Sequence, residues 1–505
     1  MERRSGGRLD AVLVVTVVVA AGLRLWGLGA QSLWYDEWLT TQAVDGGLGH
    51  LLRHVADREG ITPTYFLVMW PWVRAFGDGE VALRSVSALA GIVTVPVAYA
   101  AALALDQSRR VARIAAVIVA VNPMLVWYSQ EARPYSLLAL AAAGSLWAFG
   151  HARRGSRNGL VAWAVAAAAL FSLHYFGVFL VAAEAAALLY ALRPRWRPVA
   201  VALVPTAVVG LLLVPLAVRQ HSHGTNRNWI TGFSLPVRMQ DAGTGALVGP
   251  SPPSNRLWLA GAVVVAVAAV LLATRTEARD RRVALTLAAM GAAAVVVPLA
   301  IAVVGTDAFL ARYLIAALVP LVLAVAVGLG ASRPAAPGLV AAAALVAVSV
   351  FAVVAVARDP ELQRPDWRAV AAAVEDTSDP AGPAGPRLVV VDVNGDQSGP
   401  LDHYLDGAER VGPDDEVEVD GIDVLVGLAP ERPCNMLVGH ACGMVFLGAV
   451  TPGPGDPPFT PAGRIELDQF ALDRYRAEAP VTVRVGELTG PDAPGAVVWM
   501  VDPTR

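Results

Sequence analysis

What most limits the fold of this chain is a recurrent pattern: apolar runs near the length of a bilayer crossing, separated by short connections that carry arginine. A helix needs about 20 predominantly apolar residues to cross the hydrocarbon core. Such runs lie near 10–28, 81–105, 111–128, 136–151, 159–176, 178–192, 198–218, 257–273, 283–304, 313–330 and 337–357. They predict a polytopic α-helical membrane protein with about eleven transmembrane helices. Composition agrees, since 56% of the 505 residues are hydrophobic and 16% charged, against about 45–50% and about 25% in soluble domains. A net charge of −3 gives no electrostatic basis for binding nucleic acid.

All 39 basic residues are arginine, a bias that, with abundant Ala, Gly and Pro, marks a high-GC bacterial genome. Arg3/Arg4/Arg8, Arg109/Arg110/Arg113, Arg153/Arg154/Arg157, Arg193/Arg195/Arg197, Arg275/Arg279/Arg281/Arg282 and Arg333 fall on one side of an eleven-span path. The positive-inside rule then predicts a cytoplasmic N-terminus and an extracytoplasmic C-terminal tail, in a bacterial plasma membrane. The first run has the basic flank of a signal peptide but no small-x-small cleavage site, so it is expected to stay as a helix. On this path the Asp36 loop, the Glu131 loop, the bend at His174 and Arg312 all reach the outer face.

The chain divides by composition into a transmembrane part, 1–357, a juxtamembrane helix and linker, 358–386, and a C-terminal extracytoplasmic domain, 387–505. Within the first, 29–80 is a long outer loop whose Tyr65–Phe76 stretch is apolar, Trp-rich and too short to cross, which predicts an interfacial helix bent at Pro71. A second outer segment, 219–256, reads equally as a lid or as a mobile connector; its His221 and His223 are weak metal candidates. Arg364–Val374 predicts a helix with Asp366 as N-cap, and 379–386 (DPAGPAGP) predicts a linker. RLVVVDV, IDVLVGL, GMVFLGAV, APVTVRVGEL and AVVWMVD predict strands of a small α/β or β-rich domain. Cys434 and Cys442 have no zinc spacing, and sequence leaves a disulfide between them undecided.

The stretch Ser32–Thr40 (SLWYDEWLT) sets two adjacent acids among three aromatic rings at the outer end of the first run. Trp and Tyr suit the membrane–water interface as depth anchors, whereas acids this close to lipid are costly unless something uses them. Asp36 is therefore the candidate base of a membrane enzyme. Its alternative is a solvated loop acid, and the same holds for Glu37. Glu184 lies within an apolar run, where hydrogen bonding inside the helix bundle is the plain reading of an ionisable group.

LWYDEW resembles the first outer loop of GT-C glycosyltransferases, specifically the family-39 and RgtA-like branch related to protein mannosyltransferases and aminoarabinose transferases. FGDGEVALRSVSALAG (76–91), NPMLVWYSQEARPYSLLAL (122–140), HYFG (174–177), ARYLIAALVP (311–320) and the later RPDWRAVAAAV are similar to the same pattern, so the likeness runs over roughly residues 10–405. It implies an inverting transferase that moves a sugar, of mannose or arabinose type, from a polyprenyl-phosphate donor to a cell-envelope acceptor outside the membrane. The acceptor hydroxyl must lose a proton as it attacks, which calls for a carboxylate base. The departing phosphate needs a cation, and guanidinium presents a planar fork to its oxygens.

The resemblance implies Asp36 as the base, Arg312 with Tyr313 near the phosphate, and substrate contacts from Glu37, Glu131, Arg133, His174 and Tyr175. Each also has a structural reading: a helix-dipole partner for Glu131, an interfacial ring for His174, a snorkelling anchor for Arg312. A divalent cation (Mg, Mn or Ca), with Asp36, Glu37 and Glu131 as ligands, stays an option. Relatives often carry His-Pro-Pro or Lys-Pro-Pro where this chain has Ile61-Thr62-Pro63-Thr64, so a basic contact to donor phosphate is missing there. Two other classes stay open: a transporter or flippase for lipid-linked saccharide, and a glycan-binding protein with a decayed site. Polar groups gathered at outer helix ends, instead of the bilayer midplane, favour the enzyme.

Overall fold

Each of the eleven apolar runs is helical, two of them (111–128 and 198–218) as broken helices, because in lipid only a helix satisfies its backbone groups within its own segment. In the computed structural model the described residues are 10–222, 228–254, 256–376, 385–391, 398–405, 407–428, 459–489 and 497–502. Among them six helices are long and apolar enough to cross a membrane, or up to eight when each of two bent pairs counts as one span. This is a multi-pass membrane protein with fewer crossings assured by length than the apolar runs suggested. The shortfall is geometric. Ala11–Leu25 has 15 residues, about 22 Å of helix, and Gly177–Ala191 meets Arg193–Ala202 at a bend of 104°.

The chain forms two compact units: residues 1–28 with 40–356, and residues 29–39 with 357–505. The helical unit is centred on Ile315–Gly330, whose apolar window, counted from Ala311, is 78% buried. Small residues let its neighbours come close. A Cβ on Gly328 would lie 2.5 Å from the Ala268 carbonyl oxygen, and one on Gly330 2.9 Å from Val111 Cα. Peripheral helices such as Val204–Ser222 are 17% buried over the same kind of window, leaving Leu211 and Leu212 exposed where lipid would lie. Glu184 is buried in this bundle and accepts hydrogen bonds from Trp163 Nε1 at 2.7 Å and Ser145 Oγ at 2.8 Å. That ties three helices together, as the plain reading of an intramembrane acid predicts.

Thr64–Phe76 is one helix, with Pro71 inside it. Trp70 Nε1 and the Arg74 guanidinium both donate to the Gly46 carbonyl, which pins the preceding loop. The segment after Ser222 is helical over Asn228–Thr231 and Leu235–Val248. His223 lies outside the described residues, and His221 ends the Val204–Ser222 helix.

The C-terminal unit is built on six described strands, β1 (Arg387–Val391), β2 (Glu409–Val411), β3 (Glu416–Gly427), β4 (Thr460–Glu466), β5 (Phe470–Arg484) and β6 (Val497–Val501). They form a mixed sheet in the order β2-β6-β1-β3-β5-β4, with β1 and β3 parallel and the other pairs antiparallel. β1 is apolar at nearly every position because both its faces are covered. Val389 and Val391 pack with Trp367, Val370 and Trp499 on one side, while Leu388 and Val390 pack with Ile422, Val424 and Val498 on the other. The predicted helix is Trp367–Glu375, and Asp366 caps it by accepting from Ala369 N–H at 3.1 Å. Its last carbonyls are capped by buried arginines: Arg474 donates to Ala373 O and Arg387 to Val374 O. The linker 379–384, the predicted strand 443–450 and both cysteines lie outside the described residues.

Candidate functional site

The residues singled out above divide between the two units. Asp36 and Glu37 belong to the C-terminal one. Helix Tyr35–Asp45 begins just before them, and the boundary between units runs through this helix after Leu39. Both acids therefore occupy its first turn, where the helix dipole favours negative charge. Glu37 Oε2 accepts from the Trp34 backbone N–H at 3.5 Å, the reach-back of a capping box. Both acids are buried. Trp34 and Trp38 are buried as well, at 5% and 7% exposure, which corrects their reading as interfacial anchors. Trp38 lies on Gly399, where a Cβ would come within 2.6 Å of the ring, and under Arg410, whose guanidinium is 5.9 Å from the ring centre. The rings are mortar between chain segments far apart in sequence.

In the helical unit, Glu131 and Arg133 follow a broken helix. Arg109–Val121 stops at Asn122, and the chain restarts at Pro123–Trp127 with a 54° bend. Asn122 caps the restart through Leu125 N–H at 3.1 Å, and Pro123 stands where an N–H would be orphaned. Buried Arg24 covers the broken end, donating to Ala120 O at 2.7 Å, Val119 O at 3.1 Å and Ser129 Oγ at 3.2 Å. The turn that follows is pinned by Ser87 Oγ to Arg133 O and Thr40 Oγ1 to Ala132 O. Arg133 itself makes a buried two-point pair with Glu59, 2.9 Å on each side. Glu59 was not among the residues expected from the sequence.

His174 sits in the turn between helices Arg157–Leu173 and Gly177–Ala191, packed on the Tyr313 ring at 4.7 Å and the Phe176 ring at 5.6 Å. Its Nδ1 accepts from Phe176 N–H at 3.1 Å, which assigns the proton to Nε2. Among the described residues Nε2 has no hydrogen-bond partner, although it is buried. Burial, followed by the positive charges of Arg133 and Arg312, pulls this imidazole down to about 3, so it stays neutral at physiological pH. Arg312 lies in the turn Ala311–Leu314, buried, with its guanidinium 5.9 Å from the Tyr313 ring centre. Arg312, Glu131 and Asp241 all act electrostatically on Tyr128.

A cavity of about 240 Å³ is lined by His174, Tyr175, Phe176, Phe179, Tyr313 and apolar residues from the helices around them. Tyr175 points its hydroxyl to Gln220 Oε1 at 3.0 Å, and Gln220 in turn donates to Val55 O and Ile61 O. Thr62, at the place where a basic residue is expected, is buried and donates to Ser172 O. The turn leading to Arg312 is held by Arg238, which binds Asp307 at two points and donates to Phe309 O at 2.9 Å. Those hydrogen bonds keep the Asp307 carboxyl below its ordinary range. Among the described residues no three His, Cys, Asp or Glu side chains come together as a metal site.

The comparisons with known proteins fit this architecture. Residues 61–218 match the family described as dolichyl-phosphate-mannose-protein mannosyltransferase. The crystal structure of ArnT from Cupriavidus metallidurans bound to undecaprenyl phosphate is similar over 95% of this chain and 100% of its own, with 13% identity and a TM-score of 0.51. Its apo structure matches over 72% of this chain and 70% of its own, with 18% identity and a TM-score of 0.47. The Archaeoglobus fulgidus oligosaccharyltransferase in complex with Zn and sulfate matches over 73% and 56%, with 13% identity and a TM-score of 0.42. No curated protein matches by sequence. The chain has the GT-C fold of polytopic membrane glycosyltransferases.

Proposed function

We propose that the protein is an inverting glycosyltransferase that moves a sugar, of mannose or arabinose type, from a polyprenyl-phosphate donor to an acceptor of the cell envelope. The observation that carries this reading is a buried cation beside an apolar chamber. Arg312 adjoins Tyr313, which lines the 240 Å³ cavity with His174, Tyr175 and two phenylalanines. A lipid phosphate needs that combination: a guanidinium for the anion and apolar walls for the first isoprene units. The undecaprenyl phosphate in the similar ArnT structure supports the same donor class. Arg133 is engaged with Glu59 in a two-point pair, and the phosphate role is given to Arg312, the residue the family resemblance implies for it. His174, neutral and with its Nε2–H unused, donates to a donor oxygen.

In this reading the acceptor oxygen attacks the anomeric carbon while Asp36 takes its proton. The bond from that carbon to the phosphate oxygen breaks, its electron pair stays on the phosphate, and Arg312 offsets the charge. Attack opposite the leaving group inverts the anomeric centre. On an eleven-span path the one-sided arginines of the connections support a reaction outside a bacterial plasma membrane, with the N-terminus in the cytoplasm.

Transfer from a panel of polyprenyl-phosphate sugars, by purified protein in lipid nanodiscs, tests the reading. Asp36→Asn is expected to lower kcat roughly 10²- to 10⁴-fold with donor binding kept. Arg312→Ala is expected to weaken donor binding roughly tenfold to a hundredfold. Equal turnover by wild type and Asp36→Asn removes the base, and unchanged donor affinity in Arg312→Ala removes the phosphate contact. A transporter would move lipid-linked sugar across the bilayer in the same discs without breaking its phosphate bond.

A further inference from the structure

Residues 29–34, which lead into the helix bearing Asp36, form neither helix nor strand. Without a ladder of their own they are held by hydrogen bonds to residues 364–404 of the same compact unit, more than 300 positions away in sequence. Gln31 Oε1 accepts from Arg364 N–H at 3.2 Å. Ser32 Oγ accepts from Trp367 N–H at 2.9 Å and donates to Pro365 O at 2.8 Å. Leu33 N–H donates to the Tyr404 hydroxyl at 2.6 Å, and Arg368 donates to Gly29 O at 3.2 Å. The Arg364 guanidinium lies 5.9 Å from the Trp34 ring centre. RPDW, a motif to which the chemistry assigns no part, is therefore the surface on which the Asp36 loop lies.

The arrangement is directional. Trp34 O accepts from Glu37 N–H at 3.0 Å and Trp38 N–H at 2.9 Å, so Trp34 sets where the helix starts. Asp36 is two residues on, in a rigid first turn. Any displacement of Leu33 or Trp34 passes to the Asp36 carboxylate with little damping. Tyr404 is itself fixed, at the end of the single turn Leu401–Tyr404, with Arg368 5.9 Å from its ring centre. Ser32 works in both directions, since the Trp367 N–H it accepts from belongs to the first turn of helix Trp367–Glu375.

We propose that the C-terminal unit positions the catalytic base: Arg364–Trp367 and Tyr404 hold Gln31–Leu33, and so set the helix start that carries Asp36. This rests on Asp36 being the base. Tyr404 and Ser32 are positioning residues; neither touches substrate in this account.

The test uses the full-length protein in nanodiscs, with Tyr404→Phe and Ser32→Ala beside Asp36→Asn. Two quantities are read: kcat and KM for the polyprenyl-phosphate sugar, and amide hydrogen exchange across the chain. For Tyr404→Phe the expected result is a roughly tenfold to hundredfold fall in kcat, a donor KM within about twofold of wild type, and faster exchange confined to residues 29–39. Ser32→Ala is expected to speed exchange both there and at the start of helix Trp367–Glu375. Unchanged exchange in 29–39, or faster exchange there with kcat intact, overturns the proposal. So does a fall in kcat with faster exchange throughout the helical unit, which would mark Tyr404 as merely structural. Full turnover by Asp36→Asn also overturns it, and the exchange results then show whether the latch itself exists apart from the functional reading.

Discussion

Glu59 in the helical unit and Asp423 in the C-terminal sheet are both buried carboxylates held by arginine, yet they are built on different plans. Glu59 faces one guanidinium, Arg133, through both oxygens. Asp423 shares itself between two, with Arg387 Nε at 3.1 Å and Arg476 at 2.8 Å, and Arg387 also donates through Nη2 to Val374 O at the end of helix Trp367–Glu375. The first plan sets both carboxylate oxygens on a single guanidinium and is brittle. In the second, the surplus cation is absorbed by a helix C-terminus, so that one member can be lost without stranding the carboxylate.

Three substitutions or conditions break or sharpen this contrast. Glu59→Gln leaves Arg133 buried without its carboxylate and is expected to cost about 3–5 kcal/mol of stability; the double variant Glu59→Gln/Arg133→Gln should recover part of that loss in thermal melts. A smaller effect comes from His174, whose folded-state imidazole is held near 3 against an ordinary 6.5 by burial and by Arg133 and Arg312. Because the unfolded chain takes up the proton first, stability falls as pH drops below 6.5 towards 3, by about 2 kcal/mol at pH 5. A His174→Phe variant should show a shallower acid slope between pH 7 and 5, and an equal slope would mean that another group titrates there. Arg476→Gln is the mildest, about 1.5 kcal/mol, since Asp423 keeps Arg387. A loss as large as that of Glu59→Gln would erase the distinction between the two plans.

The sequence was legible wherever structure is local. Apolar runs located every long helix, Asp366 announced the start of helix Trp367–Glu375, and the β-branched run RLVVVDV announced a strand. Helices too short or too bent to cross kept the number of crossings from following from the runs alone. Of the candidate site, His174 packs on Tyr313, the neighbour of Arg312, and both rings line one cavity. Their companions were hidden. Glu59 stands in DREG, which reads as a solvated turn, and only tertiary contact with residue 133 reveals it as buried. Asp307 and Arg238 are 69 residues apart, and no periodicity connects them. Trp34 and Trp38 have the composition of an interfacial belt, and composition does not distinguish a ring against lipid from one packed on Gly399 and Arg410.

The bonds that hold residues 31–33 also fix an order of events during synthesis. Their partners lie 333 to 371 residues downstream. At about 5–20 residues per second, the ribosome needs roughly 20–70 s to reach them after Asp36 has emerged. Through that interval the membrane helices can insert and pack while the Asp36 loop still has nothing to rest on. A chain interrupted before Tyr404 would carry all its apolar helices and every residue proposed to meet the donor, yet its acid would be left unaimed. On the proposal made above, synthesis of Tyr404 is the step at which the Asp36 loop gains its last support.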